Sequence, residues 1–446
     1  MNLPKTGVIL LAFTLAAMAM IPMVSGDSNS TGVFLKNVSN TSSSRDIIEQ
    51  NYVTEQLAYE HASVMMLDYV KMGLDEGAWN EATVNAKPLV IYDLNGKKLF
   101  YQYSIQKNGK NVGEIKITAS KVLGNILQEI GEPYSYDPTV INDKVDNLVE
   151  RKFPGYSVKS IQYVSYDYPN IGVKIKLSDE KTNDQKDFMF DAVTFSTITD
   201  ANMDQHLVTD GWSFYGQIPE KEFAENAARW KTNDEYVTNL KTIASTSGIN
   251  VSQPIQENQV RLMNQATLSP NAVGEANYIQ NFPTTTQAQS KWCMIGTAWL
   301  ITKFYYPSGT RTQTNIANSM GVYGDTAPSA TAEIYYYMDY YRNGAASGGL
   351  EKRNSISSWT TPNAPPISYD LIKEEIDANR PMKTGVNLQV NGNIYSHARA
   401  CIGYWQYTDG SRLYKYSDPA SGILTWISAP GSGGSDLQFI DYVIVK

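Results

Sequence analysis

The chain has 446 residues, 42% of them hydrophobic, enough for about two or three domains with a sizeable core. Gly 31 and Pro 19 lie near average usage, which excludes collagen-like or low-complexity organisation. Lys+Arg 37 against Asp+Glu 45 leaves a formal charge of -8, an acidic balance that repels phosphate backbones and argues against a nucleic-acid partner.

Residues 1–26 have the order of a secretory signal peptide: a cation at Lys5, an apolar stretch over 7–24 interrupted by Thr14 and Pro22, then the small residues Ser25 and Gly26. An uncleaved signal anchor is the competing reading, because a spanning helix needs about 20 apolar residues. The mature chain is thus expected to be secreted or at the cell surface, with the membrane a partner only if that segment stays uncleaved. Asn29, Asn37, Asn40 and Asn250 each open an Asn-x-Ser/Thr sequon, which fits an exported protein.

Residues 44–73 carry helical periodicity, with Val53, Leu57, His61 and Val64 on one face and Gly73 where a C-cap belongs. His61 reads as a packed, hydrogen-bonded helix residue. Strand patterns follow at 89–92, 99–105 and 112–118, separated by the hairpin dipeptides Asn95-Gly96 and Asn108-Gly109. The order then recurs. Asp137-Pro138 opens a helix striped by Val140, Ile141, Val145, Leu148 and Val149, and strands are expected near 157–166, 171–177 and 187–197. Residues 27–200 therefore read as two modules, each a helix followed by an antiparallel meander. That order weakly resembles the inhibitory propeptide modules of secreted peptidases, of the cystatin-like or PepSY type. Residues 201–274 form a helical and linker segment, with an amphipathic helix over 220–244 and a polar stretch through 252–269.

The scarce residues constrain the chemistry. There are three histidines, His61, His206 and His397, and two cysteines, Cys293 and Cys401, too scattered for a structural zinc module. HExxH, GxSxG, Walker A and GxGxxG signatures are all missing. At Gln287-Ala-Gln-Ser-Lys-Trp-Cys293 a polar turn leads into a mostly apolar helix stopped by Pro307. A cysteine in a first helical turn meets unpaired N–H groups and the positive end of the helix dipole, which favour thiolate. Gln287, six residues upstream, is positioned to face a developing oxyanion together with the Cys293 N–H.

A thiolate nucleophile needs a proton carrier for the leaving amine, and His397 is the only histidine after Cys293. Its imidazole needs an acceptor, and no asparagine follows it, so an aspartate must serve. Of Asp409, Asp418, Asp436 and Asp441, Asp418 is chosen because it ends the strand-like run Leu413-Tyr-Lys-Tyr-Ser-Asp418-Pro419. A tight turn at Asp409-Gly410 would leave Asp418 about 13 Å short of His397 along the strand, so a wider loop or a bulge is expected.

These residues resemble the papain-like cysteine peptidases, and within them the C39-like branch, through Gln287, Trp292-Cys293, His397 with Gly403-Tyr404, and Asp418-Pro419. The resemblance covers about residues 275–446. It implies an α+β fold with a helical part carrying the cysteine and a sheet carrying His and Asp, and an activity that cleaves amides. Met294-Ile295-Gly296 departs from the family's usual continuation, so substrate preference does not carry over. The expectation is a secreted cysteine peptidase made as a precursor, acting on polypeptides without metal or organic cofactor, with its own N-terminal region as an intramolecular inhibitor. A cell-wall peptide amidase or transpeptidase of the same fold, a non-catalytic surface-binding protein and a Cys293–Cys401 disulfide are the alternatives.

Overall fold

The structure is a computed structural model. It describes residues 42–444 except 135, 169, 180, 183, 194, 196, 199–212, 255, 257–273, 290, 339–355, 358–366, 391–392, 408–409 and 430–437. Residues 1–26, read above as a signal peptide, the sequons at Asn29, Asn37 and Asn40, and His206 lie outside the described residues.

The chain mixes helix and strand as an α+β protein. Helices α1 (Ser42–Gln50) and α2 (Glu55–Lys71) precede β1 (Thr83–Val84), β2 (Leu89–Asp93), β3 (Lys98–Lys107), β4 (Lys110–Thr118) and β5 (Leu127–Gly131). Helix α3 (Pro138–Lys152) leads into β6 (Tyr156–Asp167), β7 (Asn170–Asp179) and β8 (Gln185–Asp191), and α4 (Phe223–Thr246) follows. The second half contains β9 (Glu275–Tyr278), α5 (Cys293–Tyr305), α6 (Gln313–Ser319), α7 (Ala330–Met338), β10 (Ile356–Ser357), α8 (Tyr369–Asp377), β11 (Met382–Val390), β12 (Asn393–Gln406), β13 (Arg412–Asp418), β14 (Ile423–Ser428) and β15 (Gln438–Ile444).

Most of these elements lie where the periodicity put them, and the departures have local causes. The single helix expected over 44–73 is broken in two. Val53 N–H donates to the Ala119 carbonyl at 2.9 Å and Tyr52 bridges Ser120, which draws the chain to the sheet margin. The Thr54 hydroxyl then accepts from Leu57 N–H and restarts the helix. In α3 the Asp137 side chain caps Thr139 N–H with Pro138 in the first turn, but Val140 is 45% exposed and the buried stripe is Ile141, Val145 and Val149. Strand β5 is an addition that its sequence did not announce.

One sheet runs through the described residues in the order β10-β15-β11-β12-β13-β14-β5-β4-β3-β2-β6-β7-β8, with β1 added on β3 and β9 on β12. Its pairings are antiparallel apart from β2 with β6. The expected boundary near residue 275 is crossed where β14 pairs with β5, Thr425 opposite Gly131, Trp426 opposite Ile130 and Ile427 opposite Glu129. Gly131 is required there: a Cβ would sit 2.6 Å from the Leu424 carbonyl oxygen. A shared core closes the same junction, with Met65, Tyr103, Ile130 and Trp230 of the first half packed with Trp405, Leu413 and Trp426 of the second. A separate core gathers around α5, where Ile295, Ala298, Leu300 and Ile301 meet Ile372, Ala400, Ile402 and Tyr416. That core fixes α5 against β12, and the Thr297 hydroxyl adds a bond to the Ala398 carbonyl at 2.9 Å. No described helix is long and apolar enough to cross a membrane.

Candidate active site

Cys293 occupies the first position of α5 and is half-buried. Its N-cap residue Trp292 offers no side-chain hydrogen bond to the helix, so the first-turn N–H groups point out with the helix dipole behind them. Trp292 is buried instead, its indole N–H donating to the Gly324 carbonyl at 3.0 Å, while Lys291 N–H donates to Asp325 Oδ1 at 2.9 Å. These two bonds pin the loop around Tyr323, which is 76% exposed, beside the start of α5. No disulfide joins Cys293 to Cys401, which is buried in β12.

The turn holding Gln287 is fixed from two sides. Gln287 N–H donates to the Pro419 carbonyl at 2.7 Å, and Gln313 of α6 accepts from Ala288 N–H at 2.8 Å and donates to the Thr286 carbonyl at 2.7 Å. The packing at Gly296 shows why no side chain fits there. A Cβ there would lie 2.6 Å from the Pro419 Cβ and 3.6 Å from the Gln287 Cβ. The first turn of α5, the Gln287 turn and the Asp418-Pro419 turn therefore pack on one another.

His397 and Asp418 meet directly, with His397 Nε2 and Asp418 Oδ1 2.8 Å apart. The strand connection closes the expected offset in two steps. Gln406 pairs with Arg412, one residue off the register that a tight Asp409-Gly410 turn would give, and a register shift between Cys401 and Gly403 moves the ladder once more. Ala400 then pairs with Ser417, so the next residues along, Arg399 and Asp418, face each other and His397 reaches Asp418 on the diagonal. Ala420 N–H also donates to Asp418 Oδ1 at 2.8 Å, and the Asp418 carbonyl accepts from Gly422 N–H at 2.8 Å. Asp409 and Asp436 lie outside the described residues.

The electrostatics follow from this packing. Burial pushes the His397 imidazole down, but the charge and hydrogen bond of Asp418, with Cys293 adding in the same direction, raise it from the ordinary 6.5 to about 10. Burial pushes Asp418 up, and the charge and hydrogen bond of His397 with the charge of Arg399 bring it below the usual carboxylate value. The arrangement is an imidazolium held by a carboxylate beside the Cys293 sulfur at a helix N-terminus.

Arg399 is the residue that sequence reasoning missed. Its guanidinium is buried, Nη1 lies 3.9 Å from Asp418 Oδ2, and the group stacks 4.2 Å from the centre of the Tyr416 ring. The signal was present: a lone cation in the apolar run Ala398-Arg399-Ala400, two residues after His397 and so on the same strand face. His61 forms a second His–Asp pair far along the chain, Nε2 to Asp234 Oδ1 at 2.8 Å, between α2 and α4. A shallow pocket where the two halves meet, lined among others by Met65, Tyr236, Tyr407 and Arg412, lies at the opposite end of β13 from Asp418. Among the described residues no cluster of His, Cys, Asp and Glu could hold a metal ion. No protein-family model matches the chain, and no curated protein is similar to it.

Proposed function

We propose that the chain is an exported cysteine peptidase of papain-like, C39-like type, made as a precursor. The observation that carries this reading is the 2.8 Å His397–Asp418 pair, with His397 held in its charged form beside Cys293 at the mouth of α5. In the reaction, the Cys293 sulfur attacks the peptide carbonyl carbon as a thiolate, its negative charge held beside the His397 imidazolium. The carbonyl oxygen becomes an oxyanion facing the Cys293 N–H and the Gln287 side-chain amide. The imidazolium then gives its proton to the leaving amine, and the acyl group remains on sulfur. Water, deprotonated by the same imidazole, attacks the thioester carbon; the acid product leaves, and the sulfur is released as thiolate beside the re-formed imidazolium. Asp418 keeps the imidazole in one orientation throughout.

Peptide-substrate turnover by the full chain, compared with Cys293→Ala, tests the proposal. Loss of turnover in a variant that keeps its fold supports it. Turnover that survives Cys293→Ala would remove Cys293 as the nucleophile, and glycan or cell-envelope binding with no turnover in the parent would replace the proposal with the binding-protein reading.

A further inference from the structure

A charged row continues from the site into the other half of the molecule. Strand registers place Asp418 opposite Ile423, Tyr416 opposite Thr425, Thr425 opposite Gly131 and Glu129 opposite Lys116, so the side chains of Asp418, Tyr416 and Glu129 all project from one sheet face. Gly131 puts no side chain into this row. Arg399 lies over Tyr416 with its guanidinium against Asp418 on one side. Farther along the same face Glu129, 3% exposed, is bonded to Lys116 at 2.6 Å and to the Tyr168 hydroxyl. Burial raises Glu129 and Lys116 opposes it; the next contributions come from Asp418, which raises it, and Arg399, which lowers it, so the two groups lie within electrostatic reach of the N-terminal half.

Two buried charges of opposite sign need compensation, because each loses its hydration. Asp418 has one oxygen committed to His397 and Ala420, and the second faces Arg399. Rotation of the carboxylate away from the imidazole would draw that second oxygen off the guanidinium, so the charge of Arg399 favours the paired orientation. We propose that Arg399 is a positioning residue for the His397–Asp418 pair, and that Glu129, supplied by the N-terminal half on the same sheet face, acts on it at a distance through its charge. The inference rests on the peptidase reading above, and it makes the N-terminal half a working part of the site and not solely a cover for it.

The test uses the full chain and its variants Arg399→Met, Arg399→Lys and Glu129→Gln, with melting curves to confirm folding. Two readouts are taken: the rate of iodoacetamide alkylation at Cys293 from pH 5 to 10, and kcat and KM on a peptide. The charged groups that shape the alkylation profile are Cys293, His397, Asp418, Arg399, Glu129 and Lys116. Arg399→Met is expected to lower kcat about tenfold with KM unchanged and to shift the alkylation profile, since small misplacements of reacting groups cost that much or more. Arg399→Lys should recover part of the loss, and Glu129→Gln should shift both readouts the same way by a smaller factor. If Arg399→Met does not fold, Arg399→Lys and Glu129→Gln decide alone. Folded variants with the parent's kcat and alkylation profile would overturn the positioning role while leaving the peptidase intact. A parent whose Cys293 alkylates no faster than Cys401 would instead sink the peptidase reading and this inference with it.

Discussion

The molecule contains the same hydrogen bond twice, and the two copies behave in opposite ways. His61 with Asp234 and His397 with Asp418 each join Nε2 to Oδ1 at 2.8 Å. Yet burial lowers His61 below its ordinary value in spite of Asp234, while His397 rises to about 10. The carboxylates make the difference. The Asp234 side chain is 35% exposed and its charge is screened by water, whereas that of Asp418 is 2% exposed and acts at low dielectric. Their surroundings differ too: His61 packs edge-on against Trp230, while His397 has Cys293 as a second partner. The two pairs thus share a bond but differ in the burial of the acid and in the third group beside the imidazole.

The comparison breaks most sharply by deleting each imidazole. His397→Ala should reduce peptide turnover about 10²–10⁴-fold, the usual contribution of a positioned acid–base group. His61→Ala should leave turnover per folded molecule unchanged and cost about 1–3 kcal/mol of stability, the penalty for removing a partner from a buried hydrogen bond. Steady-state kinetics with denaturant titration of both variants separates the two, and equal losses of turnover would end the distinction.

Next in size is the exchange of each carboxylate for its amide. Asp418→Asn keeps a hydrogen-bond acceptor but removes the charge that raises His397, so the imidazole should fall toward 6.5 and turnover should drop about tenfold. Asp234→Asn should move His61 little. Histidine-selective NMR titration of the two variants reads both shifts in one experiment.

How far this contrast was legible beforehand depends on which contacts are local. Cys293 at a helix start, His397 on a strand and Asp418 at a strand end all announce themselves within a few residues of sequence. So does the capped start of α3 at Asp137-Pro138. Strand β5 does not, because Leu127-Gln-Glu-Ile-Gly131 puts two polar residues mid-strand whose partners, Tyr168 and Lys116, only the tertiary fold supplies. Arg399 and Glu129 were illegible as a pair for the same reason: β14 and β5 meet across nearly 300 residues of chain. Gly296 read as a departure from the family pattern until Pro419 appeared against it.

Gly296→Ala sharpens the comparison by disturbing the support and not the pair. The added methyl would meet the Pro419 Cβ at 2.6 Å, so the Asp418-Pro419 turn or α5 must shift. The expected cost is about 1–3 kcal/mol of stability. A fall in kcat should accompany it, because the same turn orients His397. Full kcat at reduced stability would show that the turn tolerates displacement.

The smallest effect carries the sign of each pair. His397 is raised from 6.5 to about 10, so folding favours its protonated form; that stability is fully present below pH 6.5 and is lost as pH rises toward 10. His61 is lowered, so its neutral form is favoured; its contribution is present above 6.5 and is lost as pH falls below it. Melting temperatures of the parent, His397→Gln and His61→Gln between pH 5 and 10 should therefore diverge in opposite directions. The deficit of His397→Gln should be greatest near pH 5.5 and close by pH 10, whereas that of His61→Gln should shrink as pH falls from 7 to 5. Asp418 stays out of this window, because it is held below 3.8 and its own contribution is lost only in stronger acid. Parallel curves for the two variants would mean that the buried acid and the screened one give their histidines the same proton affinity, and the distinction between the pairs would be geometric only.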